Sequence, residues 1–160
     1  MEKSIGRKCL YLHFPDGYWY EDTINAFLLF LKASRFVSID DTVYYYLINN
    51  AGISSTSQGR PKSVDAFYVT RSVMKDALSL NSFNKMGVIN TFLHQIKCNY
   101  FRTYLLGEEV RKAVFVLTIE MYNALNVHKG FADLSETVKS PLINALKTSD
   151  FELYEKSCIL

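Results

Sequence analysis

Little in this chain favours a charged partner, a membrane span or a disulfide scaffold. Eighteen Lys and Arg face 16 acids, for a formal net charge of +2. The basic residues are dispersed, which argues against a nucleic-acid interface, where cations cluster on one face. The longest apolar run, Ala26 to Leu31, is far below the ~20 residues of a membrane-spanning helix. The three cysteines, Cys9, Cys98 and Cys158, are odd in number, far apart and without a CxxC pair. That favours a reduced, cytoplasmic setting. Cys158 stands third from the last residue, whereas prenylation takes the fourth. The first residues carry no signal-peptide pattern.

Motifs for common chemistries are missing as well. His13, His94 and His128 are scattered, with no HxH, HExxH or Cys/His spacing, so no metal site is expected. His94 lies near an apolar helix face and reads as an ordinary helix histidine. There is no GxxxxGK[ST], GxGxxG or GxSxG. The acidic pairs Asp40-Asp41 and Glu108-Glu109 read as a turn between strands and a helix start.

What is present is a globular composition. The 160 residues are 49% hydrophobic, 14% aromatic and 21% charged, enough for one domain with a core. Residues 1–62 read as a small α/β portion and residues 63–160 as a helical extension. Phe14-Pro15-Asp16-Gly17 is a turn signal. Ile24, Phe27, Leu28 and Leu31 follow the stripe of a buried helix face. Phe36 to Ile39 and "TVYYYLI", Thr42 to Ile48, are rich in β-formers and predict two short strands. "NNAGISSTSQGRPK", Asn49 to Lys62, reads as a loop long enough to serve as a lid.

From Ser63 onward the period is helical. Val64, Phe67, Tyr68, Val73, Ala77 and Leu78 mark one helix. Val88, Ile89, Phe92, Leu93, Ile96 and Tyr100 mark a second. Gly107 and Glu108-Glu109 open a third, with Val110, Val114, Leu117 and Met121 facing inward. Ser140-Pro141 predicts an N-cap with Pro at the first helical position, and Asp150 the cap of a last short helix. The expected fold class is α+β, mainly α-helical, with a β-hairpin-like strand pair ahead of a helical bundle.

One stretch combines an acid pair with aromatics. In "FPDGYWYEDT", Phe14 to Thr23, Glu21 and Asp22 follow Tyr18, Trp19 and Tyr20 and precede an apolar helix. A carboxylate at a helix start suits the helix dipole and needs no further role. The functional alternative is a general base, because an Asp is ionised at neutral pH. Even a weak base suffices when the incoming hydroxyl becomes acidic only as bond-making proceeds. Transfer to a sugar carbon whose leaving group is departing has that character. The three aromatics suit a sugar face, though core packing is their commoner use.

The segment from Phe14 to Ser55 closely resembles the second half of the catalytic domain of family 2 glycosyltransferases, the GT-A type. The pieces are Phe14-Pro15-Asp16-Gly17, Tyr20-Glu21-Asp22, Val43-Tyr44-Tyr45-Tyr46, Asn49 and Ile53-Ser54, in the family's order and spacing. The stretches "LLGEEVRKAVFVLTIEMYNAL" and "INALKTSDFELYEK" also look like the helical tails of such enzymes.

The resemblance implies inverting transfer of a sugar from a nucleotide-sugar donor to a hydroxyl, on a sugar or lipid-linked acceptor, in bacterial surface polysaccharide synthesis. It maps the general base onto Asp22, with Glu21 as a supporting acid near the acceptor. Tyr18, Trp19, Tyr20 and Tyr46 become substrate-facing aromatics, and the loop with Asn49, Ser54, Arg60 and Lys62 lies over the donor diphosphate. A peripheral link to the inner membrane face follows from the same resemblance.

Two departures qualify it. The family's Arg after the tyrosines is Leu47 here, a place that Arg60 or Lys62 could fill. The DxD motif, which holds a divalent metal (Mg or Mn) on the donor diphosphate in full-length relatives, does not occur. The chain is therefore expected to be the C-terminal part of such an enzyme, inactive alone and without a cofactor of its own. Its apolar helix would lack most of its sheet. That predicts self-association, or a tail folded back over the gap. The alternative is a non-catalytic helical protein-interaction module formed by the tail, which has no need of the Glu21-Asp22 block.

Overall fold

The computed structural model describes residues 16–32, 35, 37–42, 44, 45, 47, 49, 50, 52, 57, 59–79 and 85–159, without the side chains of 28, 30–32 and 85. Among these residues lie seven α-helices. They are α1 (Asp22–Lys32), α2 (Asp65–Ser79), α3 (Lys85–Thr103), α4 (Glu108–Asn126), α5 (Lys129–Thr137), α6 (Pro141–Thr148) and α7 (Phe151–Ile159). Short 3-10 turns over Pro61–Val64 and Tyr104–Leu106 lead into α2 and out of α3.

The helix boundaries follow from local chemistry. Gly107, at φ 95°, breaks the chain before α4, which opens on Glu108 and Glu109 at the positive end of its dipole. Ser140 holds the N-cap position before α6, with Pro141 in the first turn. That helix closes at Ser149, in the left-handed conformation. Asp150 then caps α7, accepting the Leu153 N–H on Oδ1 at 2.9 Å. Helix α5 was not anticipated. Its apolar stripe of Phe131 and Leu134 is interrupted by Ser135, which is buried and accepts the Tyr122 hydroxyl at 3.3 Å.

Helix α3 forms the centre and packs against α2, α4, α5 and α7. Val88, Ile89, Phe92, Ile96 and Tyr100 are all buried along it. Two aromatic groups meet this stripe. Phe92 stacks with Tyr122 of α4 at 6.3 Å and meets Phe131 of α5 edge-on at 5.4 Å. One end of the helix brings Tyr100 to Tyr154 of α7 at 5.9 Å, and Tyr154 lies 4.7 Å from Phe115. A polar clamp closes the same end. Glu155 Oε1 accepts from Arg111 Nε at 2.7 Å and from the Tyr100 hydroxyl at 3.2 Å. Arg111 also donates to the Tyr104 carbonyl at 3.1 Å.

The α+β expectation does not hold. No strand occurs among the described residues, including those of the two stretches expected as a hairpin-like pair, 36–39 and 42–48. Asp40-Asp41 is consequently not a turn between strands. The physical reason lies in the surroundings of the β-formers. Val37, Tyr45 and Leu47 are 87%, 84% and 89% exposed, with no strand among the described residues to supply a ladder. β-propensity expresses fit to a half-buried pleated surface, and two short strands without a third or a covering helix are marginal. Phe36, Val43, Tyr46 and Ile48 lie outside the described residues.

Two outcomes follow for stability. Phe92→Ala removes a fully buried ring shared by α3, α4 and α5, and should cost about 3–5 kcal/mol in denaturant unfolding. The alkaline side should also be weak. Burial pushes the Cys158 thiol up to about 12, and burial with the nearby Glu155 carboxylate pushes the Tyr100 phenol up to about 12. In an unfolded chain these groups ionise near ~8.5 and ~10. The unfolded state then releases protons that the folded state keeps, so stability falls as pH rises from about 8.5 towards 12. Melting midpoints recorded across that range should drop steadily.

Candidate functional site

The Phe14–Thr23 stretch, described from Asp16 onward, forms a turn that delivers the chain into α1. Gly17 lies at φ 83°, a conformation that glycine enters freely. Tyr20 lies at φ 68°, the left-handed region, where an aromatic residue costs about 1–3 kcal/mol and persists only if its surroundings impose it. Here they do. The Tyr20 carbonyl accepts the Thr23 N–H at 3.1 Å and starts the helix. The Arg102 guanidinium of α3 lies 3.9 Å from the centre of the Tyr20 ring. Close contact with a ring face is a favourable place for that cation. The Trp19 N–H donates to Asp65 Oδ2 of α2 at 3.0 Å. The Trp19 ring sits edge-on to Tyr20 at 6.4 Å.

This turn is thus tied to α2 through its backbone and to α3 through a ring. The result for the acid pair is asymmetric. Glu21 is half-buried, whereas Asp22 is exposed at the first position of α1. Ile24, on the inner face of α1, is buried against Val69 and Val73, with Phe27 packed beside them. An exposed carboxylate on a fixed backbone can accept a proton from a hydroxyl brought to it.

Beside the turn lies a hollow of about 210 Å³, lined by Tyr18, Ile24, Tyr68, Val69 and Ser72. Tyr18 and Tyr68 are half-exposed and meet edge-on at 6.4 Å. Lys62, in the 3-10 turn before α2, carries its Nζ 5.8 Å from the Trp19 ring centre. The structure therefore brings Lys62 to the turn that holds Tyr18, Trp19, Tyr20, Glu21 and Asp22, at Trp19. Arg60 is exposed just before that 3-10 turn, and its carbonyl accepts the Ser63 N–H at 2.9 Å. Asn49 stands in a tight turn of its own, accepting the Gly52 N–H at 2.9 Å. Tyr46 and Ser54 lie outside the described residues.

The stretch expected as a lid is anchored at its described end. Ser57 is buried, and its carbonyl accepts from the Ser63 hydroxyl. Gly59, at φ 76°, passes so close to Leu105 that a β-carbon there would lie 3.2 Å from the leucine Cβ.

Sequence reasoning missed Asp65, Tyr68 and Arg102. Asp65 looks like any acid in a first helical turn, and Arg102 like any late-helix cation. Their partners lie 46 residues away in one case and further in the other, a pairing with no local signal. Among the described residues no group of three or more His, Cys, Asp or Glu side chains converges as a metal site. His94 is exposed, with Nε2 3.5 Å from Cys98 Sγ one turn along α3. No helix among them is long and apolar enough to cross a membrane.

Comparison with protein-family models, with curated proteins and with solved structures finds no match.

The tie between turn and bundle is open to a direct check. Asp65→Ala should release the Trp19 backbone and cost about 1 kcal/mol. Fluorescence of Trp19, the single tryptophan, should shift to the red, while the far-ultraviolet helical signal stays unchanged.

Proposed function

We propose that this chain is the acceptor-side, C-terminal part of an inverting glycosyltransferase, with Asp22 as the general base for the incoming hydroxyl. One observation carries the reading beyond the motif resemblance. The backbone just ahead of Asp22 is held in a strained left-handed conformation by contacts from two separate helices. Strain that the surroundings over-determine clusters where a side chain must be presented in one position.

In this reading the Asp22 carboxylate takes the proton as the acceptor oxygen bonds to the sugar carbon. Glu21 supports the acceptor from its half-buried position. Tyr18 offers a ring edge to the adjoining hollow, and Lys62 and Arg60 supply positive charge on the side of the loop. Donor and metal binding are assigned to a DxD-bearing segment that this sequence does not contain. No catalytic step at a metal is assigned to the residues described.

The test begins with the coding DNA upstream of Met1, read in all frames for a DxD-bearing α/β segment. The joined protein should transfer sugar from a nucleotide-sugar donor, and the isolated chain should not. In the joined protein Asp22→Asn should lower kcat by about 10²–10⁴-fold. Donor KM and the melting midpoint should hold, because the side chain is exposed. Full activity in Asp22→Asn would sink the assignment of the base. Absence of any upstream segment would favour the tail as a helical protein-interaction module.

A further inference from the structure

Away from the Asp22 turn, a cleft of about 380 Å³ opens between α2 and the end of α4. Its apolar lining includes Leu78 of α2 with Met121 and Leu125 of α4. Three nitrogenous side chains border it: Arg71 and Lys75 on α2, and His128 just beyond α4. All three are exposed. Arg71 and Lys75 are four residues apart, so they share one helix face and repel one another. Among the described residues neither takes part in an ion pair, whereas Arg111, Lys112, Lys147 and Lys156 all do. Of the acids close by, Asp76 is not part of the lining. Glu120 borders a smaller neighbouring hollow that shares Arg71 and Met121. The cleft's own lining contains no carboxylate.

Clefts of this size with apolar walls and a few convergent polar groups are the usual form of small-ligand sites. The apolar wall selects a hydrocarbon chain. Arg71 and Lys75, neither of them in an ion pair among the described residues, select an anionic head, with guanidinium and ammonium both suited to phosphate oxygens. We infer that the α2–α4 cleft binds a single-chain amphiphile with a phosphate or carboxylate head. The head meets Arg71 and Lys75, one helical turn apart, and the chain lies along Leu78, Met121 and Leu125 towards His128. The inference does not depend on the role proposed for Asp22.

Isothermal titration and amide chemical-shift mapping on the full chain would test it. The probes are decyl phosphate below its micelle threshold, decyl maltoside and inorganic phosphate. Decyl phosphate should bind at one site, with shifts confined to α2, the end of α4 and His128. The double substitution Arg71→Ala, Lys75→Ala should weaken it about tenfold or more, since two charge-assisted contacts go. Ala124→Trp, at an exposed position on the cleft wall, should block binding while the melting midpoint stays put. Equal binding of inorganic phosphate would overturn the inference in favour of a simple anion site. Equal binding of decyl maltoside, unaffected by the double substitution, would overturn it in favour of an unselective apolar groove. No binding of decyl phosphate would also overturn it.

Discussion

The aromatic stripe of α3 is the constraint on which the remaining described structure depends. Phe92 and Tyr100 lie eight residues apart, about 12 Å along the helix axis. Each meets rings from helices distant in sequence: Phe92 meets Tyr122 and Phe131, and Tyr100 meets Tyr154, which in turn packs on Phe115. Aromatic side chains bury large areas, and their edge-to-face contacts add preferred geometry to that burial. Helices as short as α5, α6 and α7 would be marginal alone, so docking against α3 and α4 is what makes them persist.

The same helix connects the core to the candidate site. Arg102 is two residues past Tyr100, near the end of α3, and its guanidinium meets Tyr20. Asp65, at the start of α2, fixes the neighbouring backbone through Trp19. The residues that hold the turn therefore belong to the helical extension, while the carboxylates it presents belong to the first 62 residues. This coupling gives the tail a physical part in the proposed chemistry. It sets the position of Asp22 without touching it.

The Arg71–Lys75 cleft arises from a different arrangement. There α2 and α4 present an apolar wall bordered by Arg71 and Lys75, which take part in no ion pair among the described residues. Elsewhere on the bundle the pattern is local neutralisation. Glu108 with Lys112 and Glu152 with Lys156 are one-turn pairs, and Glu136 with Lys147 bridges α5 and α6. Such exposed pairs contribute little stability. Their relevance is contrast, since Arg71 and Lys75 take part in no such pair among the described residues.

Sequence alone determined the helical extension from the punctuation of its own chain. Gly107, Ser140-Pro141 and Asp150 stand where backbone geometry and capping require them, and the 3.6-residue stripe marks the buried face of α3. These signals are local, acting within one turn of helix. The same local logic put the Glu21-Asp22 pair at the start of α1 and singled out the aromatics before it. It failed for Phe36 to Ile39 and Thr42 to Ile48, because a strand exists only when another strand completes its hydrogen bonds. It passed over α5, whose apolar stripe is interrupted by Ser135, a buried residue that hydrogen-bonds to Tyr122. Only the tertiary structure decided that Trp19 meets Asp65, that Tyr20 lies against Arg102, and that Arg71 and Lys75 flank an apolar cleft. Each of these joins residues brought close by packing, and packing partners leave no periodicity in the chain that carries them.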